Sequence, residues 1–536
     1  SRQLALFQDH KSLSCHTCSL NKEPLAHPKM LPSGATRPDV YILGEAPGAT
    51  EDQEGVQFVG DAGSYLRKFL PSGYLKKIRW NNAINCRPPG NRTPTDLELA
   101  CCKSRQEQDI VTTKPKVVLG FGGTPLKLLT GASGIMNWRG RQIPLRIRDH
   151  CFWYFPLLHP SFMLRARNDR KLGAGWEKVF SDDIARAFSF VENYVDPIPE
   201  DMSTFTHNIE LLNTFDLTAV ETALARIAQY ENHGLDIETN GLKPYKAGAK
   251  ILTLAAGTYE DTVAIPIRHR EAKWRPDQLK KLDQIIYEYL LNSGRKWCHN
   301  TKFEQEWLAF FYGKDLLFET TWGDTMAQAH VLDERRGKAL EDVTLRLFGF
   351  NIKDQHQVNV DNLDAERLDD VLLYNATDAK YTDAASHVQH ATLEEEQLVP
   401  VYDQAMAHCR TLVLAQMKGM VPNTPEIQRI AKQLAKEMVD AAAAVRENAG
   451  VQAWEKKNQK HFKPTSSTDV LSLMHSLGHK IENTEEPELE KVKHPAAKLV
   501  LTVRQNQKLE STYITPYLPK GKRIYADGLI HGNFNH

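Results

Sequence analysis

Short apolar runs alternate with helical patterns through the first 190 residues. DVYILGEAPG (39–48) predicts a strand running into a tight turn, PKVVLGFGGTPLKLL (115–129) a strand, turn and helix, and FWYFPLLHPSF (152–162) a strand ending in a loop. Such alternation predicts an α/β layered domain. Pro and polar residues around 193–206 predict a linker. The alternating style then returns. HGLDIETNGL (233–242) predicts a strand, ILTLAAGTYEDTVAIPI (251–267) a hairpin and PDQLKKLDQIIYEYLL (276–291) an amphipathic helix. From about 396 the pattern becomes helical, with long stretches at 399–420 and 424–450; Pro425 and Gly450 sit near the start and end of the second. The expected organisation is an α/β domain at 1–192, a linker at 193–206, a second α/β domain at 207–395 and a mainly helical segment at 396–536.

With 41% hydrophobic and 25% charged residues, the 536-residue chain has globular composition. That excludes a mostly disordered chain, a collagen-like one and a small disulfide scaffold. No apolar run approaches the ~18 residues of a membrane span, and SRQLALFQDHKSLSC lacks the basic-then-apolar order of a secretion signal. Net charge is zero, from 67 basic and 67 acidic residues, but it is unevenly placed. Residues 1–200 carry +7, 201–395 carry −11 and 396–536 carry +4. Basic flanks around an acidic centre fit a protein that grips a polyanion and holds cations in its middle.

Six of the eight cysteines lie in the first 151 residues. Clustered cysteines without a secretion signal suggest metal ligation. Cys15-x-x-Cys18, with Cys86 and Cys102 sixteen residues apart, could form a four-thiolate site for zinc or an iron–sulfur cluster. GFGGTPLK (120–127) lacks the GK[ST] ending of a phosphate loop and reads as an ordinary strand–turn–helix.

The words around those cysteines, GEAPGATEDQEGVQFVGDAGSYL, NNAINCRPPGNRTP and LLHPSF, resemble the iron–sulfur uracil-DNA glycosylases over roughly residues 10–190. The resemblance implies a 4Fe–4S cluster on Cys15, Cys18, Cys86 and Cys102, with Cys101 the neighbour at the wrong spacing. It implies a base pocket in which Phe58 stacks on a flipped uracil, Asn82 pairs with its edge, and His159 donates to the charge developing on the ring. Glu45 matches the position that assists the sugar cation or the water. Gly44 and Gly48 allow a tight turn beside the pocket. Gln57 stands where the family usually has Pro.

In the central domain, Asp236-x-Glu238 on a strand puts two carboxylates on one face. HNTKFEQEWL adds Asn300 and Glu304, and LLYNATDAKYT places Tyr374 and Asp378 one helical turn apart. Converging carboxylates need cations. Two Mg²⁺ or Mn²⁺ ions would neutralise them and activate a water against a phosphodiester, with Tyr374 orienting that water. The ordered set resembles the DEDDy 3′–5′ exonucleases, in particular the proofreading domain of family A DNA polymerases, whose ribonuclease H-like fold it implies. The metal carboxylates would be Asp236, Glu238, Glu304 and Asp378; Glu304 replaces the usual Asp.

RQNQKLESTYITPYLP (504–519) resembles the thumb of family A polymerases. Arg504, Lys508, Ser511 and Thr512, with Tyr513, suit duplex phosphates without sequence choice. RIYADGLIHGNFNH (523–536) resembles the opening strand of the palm. Palm and fingers motifs do not follow, so the expected partners are DNA and a second chain carrying them, and no membrane. The combined reading is the N-terminal portion of a replicative family A polymerase of bacteriophage type, acting in a bacterial cytoplasm. It joins a proofreading exonuclease to a glycosylase-like domain that binds DNA, or excises or senses uracil. A stand-alone repair glycosylase/exonuclease and a non-catalytic DNA-binding scaffold are the alternatives.

Overall fold

The computed structural model describes residues 13–166, 173–335, 337–519 and 521–534; the reading of the first residues as lacking a signal falls outside them. The chain divides into two compact units, residues 1–240 with 250–408, and 241–249 with 409–536. The first contains two six-stranded sheets.

The first sheet uses β1 (Ser33–Gly34), β2 (Val40–Gly44), β3 (Ile78–Asn82), β4 (Val117–Phe121), β5 (Ile143–Ile147) and β6 (His150–Leu157). Their order is β1-β3-β2-β4-β6-β5, with β3, β2, β4 and β6 parallel and the two edge strands antiparallel. β2 and β4 are buried at every position, which is why they read as continuous apolar runs. Helix α1 (Asp96–Thr113) follows the Cys86 loop. A reciprocal cap starts it: Thr95 Oγ1 accepts from Glu98 N at 3.3 Å, and Glu98 Oε2 accepts from Thr95 N at 2.8 Å.

The second sheet uses β7 (Ile209–Leu211), β8 (Asn232–Thr239), β9 (Ile251–Thr258), β10 (Asp261–Pro266), β11 (Arg295–Cys298) and β12 (Trp322–Asp324), ordered β12-β11-β8-β9-β10-β7. The predicted hairpin is the antiparallel pair β9–β10. The helices of this region are α2 (Pro276–Asn292), α3 (Lys302–Phe311), α4 (Thr325–Leu332), α5 (Leu340–Phe348) and α6 (Leu368–Glu395). α6 lies directly on β8. At Gly234 an added Cβ would stand 2.0 Å from the Ala379 carbonyl oxygen, so only glycine permits this approach.

The two sheet domains share a core element. Leu345 of α5 is buried with Ile143, Leu145 and Phe152 of the first domain. Just beyond it, Gly349 (φ +80°) lies against the Pro144 carbonyl, where a Cβ would approach to 1.9 Å. The 193–206 segment is seated here as well: Glu200 N donates to Phe348 O at 2.9 Å, and Arg146 donates to Pro199 O at 3.3 Å.

The helix predicted at 399–420 is α7 (Val399–Lys418). The next, α8 (Thr424–Glu447), stops short of Gly450. Asn448 caps a new helix by accepting from the N–H groups of Gly450 and Val451 at 3.0 and 3.3 Å, so Gly450 starts one helix rather than ending another. With α9 (Pro495–Leu509), α8 and the helix that Asn448 caps enclose a core that includes Val445, Trp454, Leu473 and Val500. The expected palm strand is instead a turn with one antiparallel bridge, Met420 to Ile530. Gly528, at φ +79°, reverses the chain, and Tyr525 N pairs with Leu529 O at 3.0 Å. Among the described residues no helix is long and apolar enough to cross a membrane.

Candidate functional site

Two sites lie in the first unit, one on each sheet. The first is a cleft of about 700 Å³ at the carboxyl ends of the parallel strands, where open α/β sheets place their ligands. β2 ends at Gly44 and delivers Glu45; β3 ends in Asn82; Gly122 follows β4; His159 follows β6. All four predicted pocket residues, Glu45, Phe58, Asn82 and His159, line the cleft.

Gly44 carries the floor. An added Cβ would meet Asn82 Oδ1 at 2.3 Å and Phe58 Cζ at 2.6 Å, so both side chains close over it. Phe58 is held at φ +57°, a sparsely populated conformation for a bulky residue. Gln57 explains how it is held. Its side chain is buried, accepts from Ser33 Oγ at 2.8 Å and donates to the Leu31 carbonyl. These two hydrogen bonds fix the loop where a proline ring would have stiffened it.

Behind Asn82 runs a buried amide chain. Asn81 donates to the Tyr41 hydroxyl at 2.8 Å and to Gln106 Oε1 at 2.6 Å, and it accepts from Asn82 N at 2.9 Å. The Asn82 amide itself makes no hydrogen bond to the described residues, which leaves its donor and acceptor for a ligand. Glu45 Oε2 accepts from Thr124 Oγ1 at 2.6 Å. His159 Nδ1 lies 2.7 Å from Ser161 Oγ and accepts from Ser161 N at 3.2 Å. Burial pushes the His159 pKa down to about 4, and Arg165 adds to the effect, so the ring is neutral. Sequence reading missed Thr124, although it sits in the GFGGT turn, and Ser161, although it sits in the HPS loop.

Cys15, Cys18, Cys86 and Cys102 share one neighbourhood at the foot of α1. Negative charge on Cys86, Cys18 or Cys15 opposes ionisation of Cys102. Burial pushes the Cys18 thiol up to about 11 and the Cys102 thiol up to about 12, so thiolates form there only against a bound cation. Lys29 N donates to Cys86 Sγ at 3.3 Å. Cys101 Sγ lies 3.5 Å from Thr17 Oγ1, and negative charge on it opposes ionisation of Cys18.

In the second site, Asp236 and Glu238 project from one face of β8, as alternation requires, and Asp378 meets them from α6. Their nearest carboxylate oxygens all lie within 4.8 Å of one another. Glu304, on α3, is buried and outside that trio; its Oε2 has no partner among the described residues. Burial, reinforced by mutual repulsion, pushes the pKa values of Asp236, Glu238 and Glu304 up. Half-buried and buried carboxylates that repel one another, with Glu304 Oε2 and Asp378 Oδ1 lacking partners among the described residues, fit a site for divalent cations.

Three further residues organise this centre. Asn375 donates to Asp236 Oδ2 at 2.6 Å. Asp324, the cap of α4, accepts from Asn300 N and Thr301 N at 3.0 Å each and so fixes the turn into α3 and Glu304. Lys353 donates to Asp378 Oδ2 at 2.8 Å and to the Tyr374 hydroxyl. Asn375 and Asp324 stand in the YNATD and GDT stretches; nothing in NIKDQ marks Lys353.

In the second unit, Lys508, Ser511 and Thr512 are exposed around the end of α9. Arg504 is half-buried and donates to the carbonyls of Pro464 at 2.8 Å and Thr484 at 2.6 Å.

Comparison with known proteins separates the two sites. Residues 31–180 match the Uracil DNA glycosylase superfamily, and residues 213–384 match the family described as 3′–5′ exonuclease. The chain is 30% identical to the type-4 uracil-DNA glycosylase of Thermotoga maritima over 160 residues, 28% of this chain and 78% of that protein. It is 30% identical to the type-4 enzyme of Sulfurisphaera tokodaii over 147 residues, 26% of this chain and 67% of that protein. A solved structure, the POL domain of Pol1 from M. smegmatis in complex with DNA primer-template and dNTP, aligns at a TM-score of 0.43 and 16% identity, over 61% of this chain and 52% of that one. The chain therefore belongs, through its N-terminal domain, to the uracil-DNA glycosylase superfamily, with type-4 enzymes among its relatives there, and it carries a 3′–5′ exonuclease domain fused behind it.

Proposed function

We propose that the chain is part of a replicative family A DNA polymerase, with a proofreading exonuclease at 207–395 and a uracil-recognising domain at 1–192, joined through 193–206. The observation that carries this reading is the meeting of Asp236, Glu238 and Asp378 at one point, with Tyr374 one turn from Asp378. The 396–536 segment is read as the thumb and the approach to the palm. Lys508, Ser511 and Thr512 face duplex phosphates there, and Arg504 braces the segment through its carbonyl contacts. A second chain carrying palm and fingers is the proposed protein partner. The setting is the cytoplasm of a bacterial host.

Asp236, Glu238, Asp378 and Glu304 would hold two Mg²⁺ or Mn²⁺ ions, which would supply Lewis-acid stabilisation and an acidified water. Tyr374 orients the attacking water, and Asn375 keeps Asp236 aimed at the site. In the glycosylase domain, Phe58 stacks on the flipped base, Asn82 pairs with its edge, and neutral His159 donates to the oxygen on which charge develops. Glu45, held by Thr124, faces the sugar.

Cys15, Cys18, Cys86 and Cys102 would hold a 4Fe–4S cluster.

A 3′-mismatched primer with Mg²⁺ tests the exonuclease: stepwise digestion should be abolished by Asp236→Ala, and digestion that persists refutes the assignment. Uracil-containing single-stranded DNA should yield abasic sites, lost in His159→Ala; no product from the wild type would reduce the domain to a binder. A brown colour lost in Cys86→Ser supports the cluster, whereas a colourless zinc protein refutes it.

A further inference from the structure

The exonuclease centre contains a cation to which neither the family pattern nor the carboxylate cage assigns a task. Lys353 stands on the short turn Ile352–Gln355, just beyond α5, and Asn351 Oδ1 anchors that turn by accepting from Lys353 N at 2.9 Å. The Lys353 ammonium divides its donors between two residues one turn apart on α6. One goes to Asp378 Oδ2 at 2.8 Å and one to the Tyr374 hydroxyl oxygen. Its Nζ also lies 4.3 Å from the centre of the Tyr374 ring. On another side the ring meets the His356 imidazole edge-on at 5.4 Å, and His356 is itself tied to Thr377 Oγ1 at 2.8 Å.

The direction of the hydrogen bond decides the role. An ammonium only donates, so the phenol oxygen must accept from it. That occupies a lone pair of Tyr374 and leaves its single O–H to donate elsewhere. We propose that Lys353 is a positioning residue of the exonuclease: it fixes the Tyr374 phenol so that the O–H is presented to the attacking water. This inference rests on the reading of Asp236, Glu238, Asp378 and Tyr374 as the hydrolytic centre. In that reaction the water oxygen bonds to phosphorus as the P–O3′ bond breaks. The proton lost by the water is balanced by the one gained at the departing 3′ oxygen, and a nucleoside 5′-monophosphate is released.

A plain counter-ion to the carboxylates would act on metal binding instead, and a double-mutant cycle separates the two roles. The full chain is assayed on a 3′-mismatched primer at saturating Mn²⁺ as Lys353→Met, Tyr374→Phe and the double variant. Lys353→Met should lower kcat about tenfold with KM little changed. The double variant should be no slower than Tyr374→Phe, and Lys353→Arg should recover part of the rate. Losses that multiply in the double variant overturn the proposal. Calorimetric titration of Mn²⁺ into the full chain without DNA gives the second readout. Lys353→Met should bind Mn²⁺ at least as tightly as the wild type, and weaker binding overturns the proposal. Asp236→Ala serves as the control: if it still digests the primer, the hydrolytic centre itself has been misread, an outcome distinct from failure of the cycle. Uracil excision unchanged in Lys353→Met shows that the fold has survived.

Discussion

The backbone N–H of Ser161 donates to Nδ1 of His159 at 3.2 Å, and Ser161 Oγ lies 2.7 Å from the same nitrogen. An N–H cannot accept, so Nδ1 carries no proton and the neutral ring holds its hydrogen on Nε2. The pKa of about 4, against 6.5 in the unfolded chain, has a definite sign for pH dependence. The folded state binds the proton less readily, so the stability this residue contributes is complete above pH 6.5 and is lost as pH falls through about 4. Uracil excision should stay level from pH 8 to pH 5. A loss of activity centred near pH 6.5 and attributable to His159 would contradict the tautomer drawn here.

Gln57→Ala should loosen Phe58. The change strands the Ser33 hydroxyl and the Leu31 carbonyl and releases a residue kept at positive φ. Ser33 is half-buried and Leu31 exposed, so each lost hydrogen bond costs about 0.5–1.5 kcal/mol. Excision assays should show KM rising more than kcat falls, and thermal melting a lower midpoint; an unchanged KM counts against the anchoring role.

Gly234→Ala should push α6 away from β8, because the new Cβ would stand 2.0 Å from the Ala379 carbonyl oxygen. Overpacking of this kind costs about 1–3 kcal/mol. The carboxylate trio should separate and primer digestion collapse while uracil excision persists. Full digestion would mean that the helix rides higher than described.

Chelation should divide the two activities. With EDTA, primer digestion should stop and return on adding Mg²⁺, while uracil excision continues. Asp236, Glu238 and Glu304 have raised pKa values in the folded chain, so the folded state holds protons that the unfolded one releases. Raising the pH in EDTA from 6.5 through about 8, where the His159 contribution is constant and Asp236 gives up its proton, should therefore lower the melting temperature, and Mg²⁺ should restore it. A melting temperature that rises with pH in EDTA above 6.5 would contradict the repulsion described at this site.

Residues whose placement follows from a local period were legible in the sequence. Asp236 and Glu238 share a strand face, and Tyr374 and Asp378 share a helix face, so each pair could be placed before any fold was known. The apolar runs at β2, β4 and β9 likewise marked buried strands. Residues that reach the sites from a distance were not legible. Lys353 comes from a turn without periodicity, and Gln57 stood out only as a departure from a family habit. Gly450 misled for a related reason: a glycine near the end of a helical pattern suggests a stop, but Asn448 two residues earlier supplies a cap. The Asp527–Gly528 pair turned an expected strand into a reversal in the same way, by local hydrogen bonding.

Leu345 has a consequence for how the molecule is inherited and dismantled. It belongs by sequence to the exonuclease region and by burial to the interior of the glycosylase, so a cut at 193–206 would not yield two self-sufficient halves. The severed exonuclease would bare a leucine to water, and the severed glycosylase would be missing part of its filling. Gene shuffling that borrowed either enzyme alone would have to repair that seam.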